Sequence, residues 1–292
     1  ITSDGGNFLN NVAPVLDYRN LRRRWNWGVE LSQVPYLTRG LEYDTVQLPD
    51  GSTGTREDVA LIWQVERRAL GTVAYPFDRI RRIEFAGGFR NVGFESELTT
   101  RLYDSSGRLV QETTGGFFAD PEALDMGVGI VALVHDNSYF GGTSPVIGSR
   151  GRIELDVYAG DLTYNSFLFD LRHYVMPMRP LTLAGRALTF GRYGPDAESP
   201  LMSSLFLGYP SLVRGYDQES FRVSECEDPS GFGPCEAWDR LFGSRMAVAN
   251  VEARLPVFGP LGLLRSAMMP PVELAAFFDA GSAWGMGDDP TY

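Results

Sequence analysis

The sequence predicts an all-β protein, an antiparallel transmembrane β-barrel, and three observations support that prediction. Apolar and polar residues alternate with a period of two from the middle of the chain onward. Several predicted strands reach ten or more residues, which is long for a soluble sandwich and suitable for tilted membrane strands. Aromatic residues lie near strand ends, where the two membrane surfaces would be. They are Tyr18, Trp25, Tyr36, Tyr75, Tyr174, Tyr193 and Trp284.

The composition agrees with an all-β chain and excludes several classes of function. The 292 residues include 33 glycines and 18 prolines, which is typical of strands joined by many turns. The formal charge of −11 argues against a nucleic-acid partner, because such binding depends on basic groups that neutralise phosphates. No segment approaches the roughly 20 apolar residues of a membrane-spanning helix. Since no composition shift marks a linker, we predict one domain, residues 1–292.

We predict eleven strands, separated by turn-forming residues. In one of them Ala247 and Val251 alternate with Asn250 and Glu252, so its two faces meet an apolar and a polar medium. A soluble sandwich would alternate too, but the polar faces here carry charges of both signs, which can pair across a barrel lumen. The predicted strands are 12–20, 25–36, 57–74, 80–101, 107–117, 126–137, 149–159, 162–175, 181–192, 245–257 and 272–284. The long connections between them are 37–56, 137–149 and 193–244.

The candidate site lies in the last of these connections, at residues 213–217 with the sequence VRGYD. Each of the two strands after the loop carries one carboxylate on its polar face, Glu252 and Asp279. A guanidinium can bind two carboxylates through its planar fork of donors. We therefore predict that the loop folds back into the barrel and that Arg214 pairs with both acids. A catalytic pair of carboxylates is the weaker interpretation, because both acids sit in ordinary strand patterns with an arginine available to neutralise them.

Other chemistry has little support in the sequence. Cys226 and Cys235 lie in one polar loop and predict a disulfide in an oxidising compartment; two unpaired surface thiols are the alternative. We expect no metal site, because both histidines are distant from the cysteines in sequence. No motif of a nucleophilic enzyme is present, so we expect no enzymatic activity and no cofactor. The basic run 22–24 is interpreted as a solvated turn that also contacts lipid phosphates, with a dedicated lipid site as the alternative.

These motifs together resemble those of the BamA-type outer-membrane assembly barrels, the bacterial surface antigen family. Residues 207–216, LGYPSLVRGY, resemble the conserved loop motif of that family. Residues 250–256 and 277–284 resemble the two strands that follow this loop. The resemblance covers about residues 126–284, and the order and spacing of the motifs make it fairly specific. Segments upstream that also fit are 136–138, 145–152, 170–174 and 183–186.

The resemblance implies a barrel of about sixteen strands, of which about eleven are present here, without the first and last. It also implies a loop lock, in which Arg214 packs against Glu252 and Asp279 of the next two strands. Gly215 and Tyr216 complete the motif. A disulfide in the same loop occurs among relatives, which suits the two cysteines. Tyr209 departs from the family, because a second glycine is usual there, so we expect a less close backbone approach at that position.

The function that the resemblance implies is insertion of other barrel proteins into the bacterial outer membrane, or passage of proteins across it. The implied partners are outer-membrane lipid, client barrel proteins, and periplasmic or lipoprotein accessory subunits. The first alternative is an outer-membrane channel, transporter or receptor barrel without insertase activity. A soluble or surface-attached β-protein is the second alternative. Conductance, detergent partitioning and heat-modifiable gel migration would discriminate among these three classes.

Overall fold

The computed structural model describes residues 12–48, 51–115, 122–216, 220, 235–259, 261–264 and 269–285. Regular structure in these residues is almost entirely β-strand, with a one-turn helix α1 (Glu236–Asp239) before the last strands. The strands are β1 (Val15–Asn20), β2 (Asn26–Gln47), β3 (Thr53–Pro76), β4 (Arg81–Tyr103), β5 (Leu109–Gly115), β6 (Leu124–Asp136), β7 (Tyr139–Phe140), β8 (Pro145–Gly160), β9 (Tyr164–Met178), β10 (Leu181–Tyr193), β11 (Leu205–Phe206), β12 (Phe242–Gly243), β13 (Arg245–Phe258) and β14 (Val272–Trp284).

The predicted fold class is confirmed, and each of the eleven predicted strands corresponds to one strand of the structure. The additional strands β7, β11 and β12 are two residues long, so no alternating pattern could have shown them in the sequence. Every described pairing between strands is antiparallel. None of the described helices is long and apolar enough to cross a membrane.

The predicted connection 37–56 is wrong, because most of it is strand. β2 continues to Gln47 and β3 begins at Thr53. Polar side chains bind one another across this extension: the Tyr43 hydroxyl donates to Glu57 at 2.9 Å, and Arg56 pairs with Asp44 at 2.6 Å. In this extension, pairs of polar side chains take the place of the apolar alternation that marks the other strands. The sequence therefore shows a weaker strand pattern here, although β2 and β3 continue.

The chain divides into two compact units. One includes Ile1–Asn20, Gly28–Thr72 and Gly87–Gly127, and the other includes Leu21–Trp27, Val73–Ala86 and Val128–Tyr292. In the first unit, β4 and β5 form a hairpin whose turn is closed by a hydrogen bond from the N–H of Gly107 to the carbonyl of Asp104 at 2.9 Å. The prediction of one domain concerns the whole barrel and stays a prediction.

The second unit contains the sheet that positions the candidate site, with the strand order β6–β8–β9–β10–β13–β14. Continuous registers join its strands; for example, Arg186 of β10 lies opposite Asn250 of β13, which lies opposite Asp279 of β14. Because side chains alternate along a strand, such opposed residues share one face of the sheet. We call this the loop face. It carries Arg152, Asp170, Arg172, Arg186, Asn250, Glu252, Arg254 and Asp279.

The opposite face of this sheet, which we call the apolar face, is exposed. Val251 of β13 lies opposite Phe278 of β14, and the two are 58% and 70% exposed. Ile153, Leu155 and Val157 on β8 are also exposed. A stripe of large apolar side chains on the outside of a sheet is unusual for a protein in water and suits contact with hydrocarbon.

Candidate functional site

The described parts of the connection between β10 and β13, residues 194–216 and 235–244, fold back over the loop face of the sheet. β11 and β12 form a short ladder within it, and the N–H of Leu207 donates to the carbonyl of Leu241 at 2.8 Å. A tight turn follows, in which the N–H groups of Leu212 and Val213 donate to the carbonyl of Tyr209 at 2.8 and 3.1 Å. This turn brings residues 211–214 onto the strands.

Apolar packing attaches the loop to the sheet beside the candidate site. Loop residues Leu207 and Val213 are buried against β13 and β14. Gly281 of β14 permits this contact, since a Cβ there would lie 2.9 Å from Val213 Cγ2. Burial of such side chains gives the loop a fixed position without any charge. The buried residues of this cluster are Leu188, Phe206, Leu207, Val213, Leu241, Met246, Val248 and Ala283.

The loop lock has the contacts that its residues predict. Arg214 Nε lies 2.6 Å from Asp279 Oδ2, and Nη2 lies 2.7 Å from Asp279 Oδ1, so the guanidinium holds that carboxylate with two parallel hydrogen bonds. The third nitrogen, Nη1, lies 2.6 Å from Glu252 Oε1. The backbone N–H of Arg214 also donates to Asp279, at 3.2 Å. One residue of the loop is thereby joined to two successive strands; whether the contact has the role of a lock stays a prediction.

The surroundings of Arg214 favour its charged form. Hydrogen bonds with Asp279 and Glu252 raise the pKa of the Arg214 guanidinium above its ordinary value. The ring of Phe277 lies below the guanidinium, with the Arg214 Cζ 3.6 Å from the ring centroid, which is a close cation–π contact. Since Phe277 is directly opposite Glu252 in the register, the ring and one acid approach the arginine from neighbouring strands.

Two side chains that the sequence interpretation did not place in the site also hold the loop, through its backbone. Arg186 Nη1 donates to the carbonyl of Ser211 at 2.8 Å. The amide of Asn250 donates to the carbonyl of Leu212 at 2.8 Å and to Asp279 at the same distance. With Arg214, these contacts connect the loop to β10, β13 and β14. The only feature of the sequence that pointed to Asn250 is its position as a polar residue on the same strand face as Glu252.

A wider network of charges surrounds the loop lock. Asp170 accepts hydrogen bonds from Arg172 and Arg186, at 2.8 and 2.9 Å. Glu252 pairs with Arg254 at 2.5 Å in addition to Arg214. Each carboxylate therefore faces two arginines or an arginine and an amide, so that these partly buried charges are compensated.

The remaining motif residues have backbone roles. Gly215 has a φ of +91°, a left-handed conformation that favours glycine. The closest backbone approach occurs at Gly208, where a Cβ would lie 1.9 Å from the carbonyl oxygen of Tyr216. The Tyr209 ring is half exposed and packs edge-on against Phe206 at 5.2 Å.

The predicted disulfide lies partly outside the described residues. Cys226 lies outside the described residues, so its pairing with Cys235 stays a prediction. Cys235 directly precedes α1. Within the part of the chain that the structure describes, no three His, Cys, Asp or Glu side chains are arranged to hold a metal ion.

A cavity of about 170 Å³ lies beside the loop lock, lined in part by Arg172, Arg186 and Arg254.

Comparisons with known proteins agree with this fold. The profile of the Omp85 superfamily domain matches residues 124–291. No curated protein matches the sequence. Among solved structures, the fold is similar to the crystal structure of BamA from Haemophilus ducreyi lacking POTRA domains 1–3, with a TM-score of 0.53 and 14% sequence identity. That match covers 89% of this chain and 52% of the BamA chain, so the chain spans about half the length of the structure it matches. Because the matched profile includes the strands and the loop that form the site, the chain belongs to the Omp85 superfamily.

Proposed function

We propose that this chain is part of a bacterial outer-membrane barrel that mediates insertion of other barrel proteins into that membrane, or passage of proteins across it. The observation that supports the proposal most strongly is the attachment of the loop to β13 and β14 by Arg214, Glu252 and Asp279. Membership of the Omp85 superfamily supports the same function. The exposed apolar face supports a location in lipid.

The physical role of the loop in this proposal is to hold neighbouring strands in one arrangement while client proteins are handled elsewhere on the barrel. A loop joined to β10, β13 and β14 makes those strands move together, since displacing any one of them breaks its hydrogen bond to the loop. Client strands in such machines add to an exposed strand edge by backbone hydrogen bonds. If β10, β13 and β14 stay together, the barrel would open between other strands. No enzymatic step is part of this proposal.

Depletion of the full-length protein tests the function. We expect the amount of other heat-modifiable barrel proteins in the outer membrane to fall, and complementation with the wild-type gene to restore it. The variant Arg214→Ala should restore less than wild type, whereas Arg108→Ala should restore fully, since Arg108 lies in an exposed turn with a long 3.6 Å ion pair. Unchanged barrel levels on depletion, together with a stable conductance of the purified protein in planar bilayers, would show a channel or transporter instead.

A further inference from the structure

Two turns of the second unit meet at one edge, where three aromatic rings pack against one another at tilted and edge-on angles. The ring centroids of Trp25 and Tyr75 lie 4.8 Å apart, and those of Tyr75 and Phe77 lie 5.8 Å apart. The guanidinium carbon of Arg24 lies over the Tyr75 ring, 4.8 Å from its centroid. The turn between β1 and β2 is thus joined to the turn between β3 and β4. We call these residues and the arginines beside them the turn-end cluster.

The arginines of the turn-end cluster give it a charge opposite to that of the chain. They are Arg22, Arg23, Arg24, Arg79, Arg81 and Arg82, and all six are exposed. Residues 21–27 and 73–86 contain two carboxylates, Asp78 and Glu84, so the local charge is +4, whereas the whole chain has −11. Asp78 pairs with Arg81 and Glu84 pairs with Arg82, each at 2.6 Å.

A third carboxylate beside the turn-end cluster is already paired with an arginine outside the cluster. The N–H of Asp136, at the end of β6, donates to the carbonyl of Ile80 at 2.8 Å. The carboxylate of Asp136 pairs with Arg150 at 2.9 Å. Asp136 therefore does not remove the excess of positive charge.

The position of the turn-end cluster on the strands is that of a membrane surface. Strands alternate in direction, so the turn after β3 and the connection after β6 are at the end opposite to residues 194–216. Aromatic rings in barrels collect at the interface between hydrocarbon and headgroups, and arginines beside them reach the level of the lipid phosphates. Exposed Leu21 and Phe77 on the same turns add apolar surface that a free anion would not use.

We propose that the turn-end cluster binds the phosphate of an anionic glycerophospholipid headgroup, with the arginines on the phosphate and the aromatic rings against the glycerol and upper acyl region. The Tyr75 ring holds Arg24 by a cation–π contact and limits the positions of its guanidinium. Planar guanidinium groups donate paired hydrogen bonds to phosphate oxygens. The proposal rests on the membrane location proposed above, but it concerns lipid binding and not client assembly.

Native mass spectrometry of the full-length protein in a neutral detergent tests the proposal. Phosphatidylglycerol is added as the ligand, phosphatidylcholine as the neutral lipid, and inorganic phosphate as the competitor. We expect phosphatidylglycerol to bind more tightly than phosphatidylcholine. The triple variant R22Q/R23Q/R24Q should bind phosphatidylglycerol roughly 100-fold more weakly, since each arginine at an anionic surface contributes about fivefold. Its affinity for phosphatidylcholine should not change.

A matched control removes the same charge outside the turn-end cluster. The triple variant R39Q/R56Q/R108Q should bind phosphatidylglycerol within about twofold of wild type, because a general electrostatic attraction is its only contribution. The variant Tyr75→Leu keeps all six arginines and should lose roughly three- to fivefold in affinity, the value of an exposed cation–π contact. This second variant tests the site even if the triple variant fails to show heat-modifiable migration on gels.

Three results would overturn the proposal. Equal affinities of the wild-type protein for the two lipids would exclude headgroup selection. Equal losses in the two triple variants, with no loss in Tyr75→Leu, would indicate a diffuse charge effect. Displacement of phosphatidylglycerol by an equal concentration of inorganic phosphate would indicate a free-anion site. None of these results depends on client assembly, so failure of the proposed function would be seen separately in the depletion experiment.

Discussion

Arg214 and Asp279 are joined by two parallel hydrogen bonds, from Nε to Oδ2 at 2.6 Å and from Nη2 to Oδ1 at 2.7 Å, although they are 65 positions apart in the sequence. The Asp279 side chain is 3% exposed, so the guanidinium takes the place of water at this carboxylate. A buried, charged carboxylate needs a partner that compensates its charge. The position of the loop that carries Arg214 is therefore coupled to β14.

Replacing Arg214 should release the loop. In Arg214→Ala, Asp279 and Glu252 keep their charges but lose their shared partner, so the free energy of unfolding should fall by about 3 kcal/mol, the lower end of the range for buried pairs. Limited proteolysis of residues 194–244 in the folded full-length protein measures the release directly, and urea unfolding in detergent measures the stability.

The variant Arg214→Lys separates charge from geometry. Lysine keeps the positive charge but lacks the planar fork that matches both carboxylates, so we expect a protease sensitivity between wild type and Arg214→Ala. Arg108→Ala is the control for loss of an exposed arginine and should behave as wild type. Wild-type resistance of the loop in Arg214→Ala, with full activity, would exclude the loop lock.

Asn250 should be the most sensitive uncharged residue of the site. Its amide donates both to the carbonyl of Leu212 and to Asp279, so Asn250→Ala leaves two acceptors without that donor. We expect a loss of about 1–3 kcal/mol in the free energy of unfolding and faster cleavage of the loop. The double variant with Arg214→Ala should lose less than the sum of the two, because both side chains bind Asp279. Strict additivity would show that the two contacts are independent.

The site was predictable from sequence where side-chain charge decides the contact. Glu252 and Asp279 each place a charge on the polar face of an alternating strand, and the loop motif before them contains Arg214, so their meeting followed from charge balance. The contacts of Arg186 and Asn250 did not follow, since both bind backbone carbonyls of the loop. Every residue has a carbonyl, so no residue type in the loop marks the acceptor.

The strands of the fold were predictable from sequence where one face of a strand is apolar. Strands with one face in an apolar medium show a period of two, as β13 does with Ala247 and Val251 on the apolar face. β2 beyond Tyr36 pairs through polar side chains such as Tyr43, so its continuation left no such pattern. The contact of Leu207 and Val213 with the sheet depends on the path of a long connection, which local sequence does not determine.

Gly208 should tolerate no side chain. A Cβ at this position would lie 1.9 Å from the carbonyl oxygen of Tyr216, so the backbone on one side of the turn must move. Because the turn positions Arg214, we expect Gly208→Ala to lower the free energy of unfolding by about 1–3 kcal/mol and to expose the loop to protease. Gly185→Ala is the matched control, since a Cβ there meets nothing within 4 Å. Equal behaviour of the two variants would contradict the close approach.

The disulfide between Cys226 and Cys235 should form in the protein exported to the outer membrane. The two cysteines close a loop of about ten residues, which in the chain-entropy model stabilises the folded loop by about 2–3 kcal/mol. A thiol-reactive maleimide should label neither cysteine in the unfolded, unreduced protein and both after reduction. The single variants Cys226→Ser and Cys235→Ser are the controls, because each leaves one thiol that must react without reduction. Labelling of both cysteines in the unreduced wild-type protein would establish two unpaired thiols. In that case Arg214, Arg186 and Asn250 would hold the loop without a covalent link.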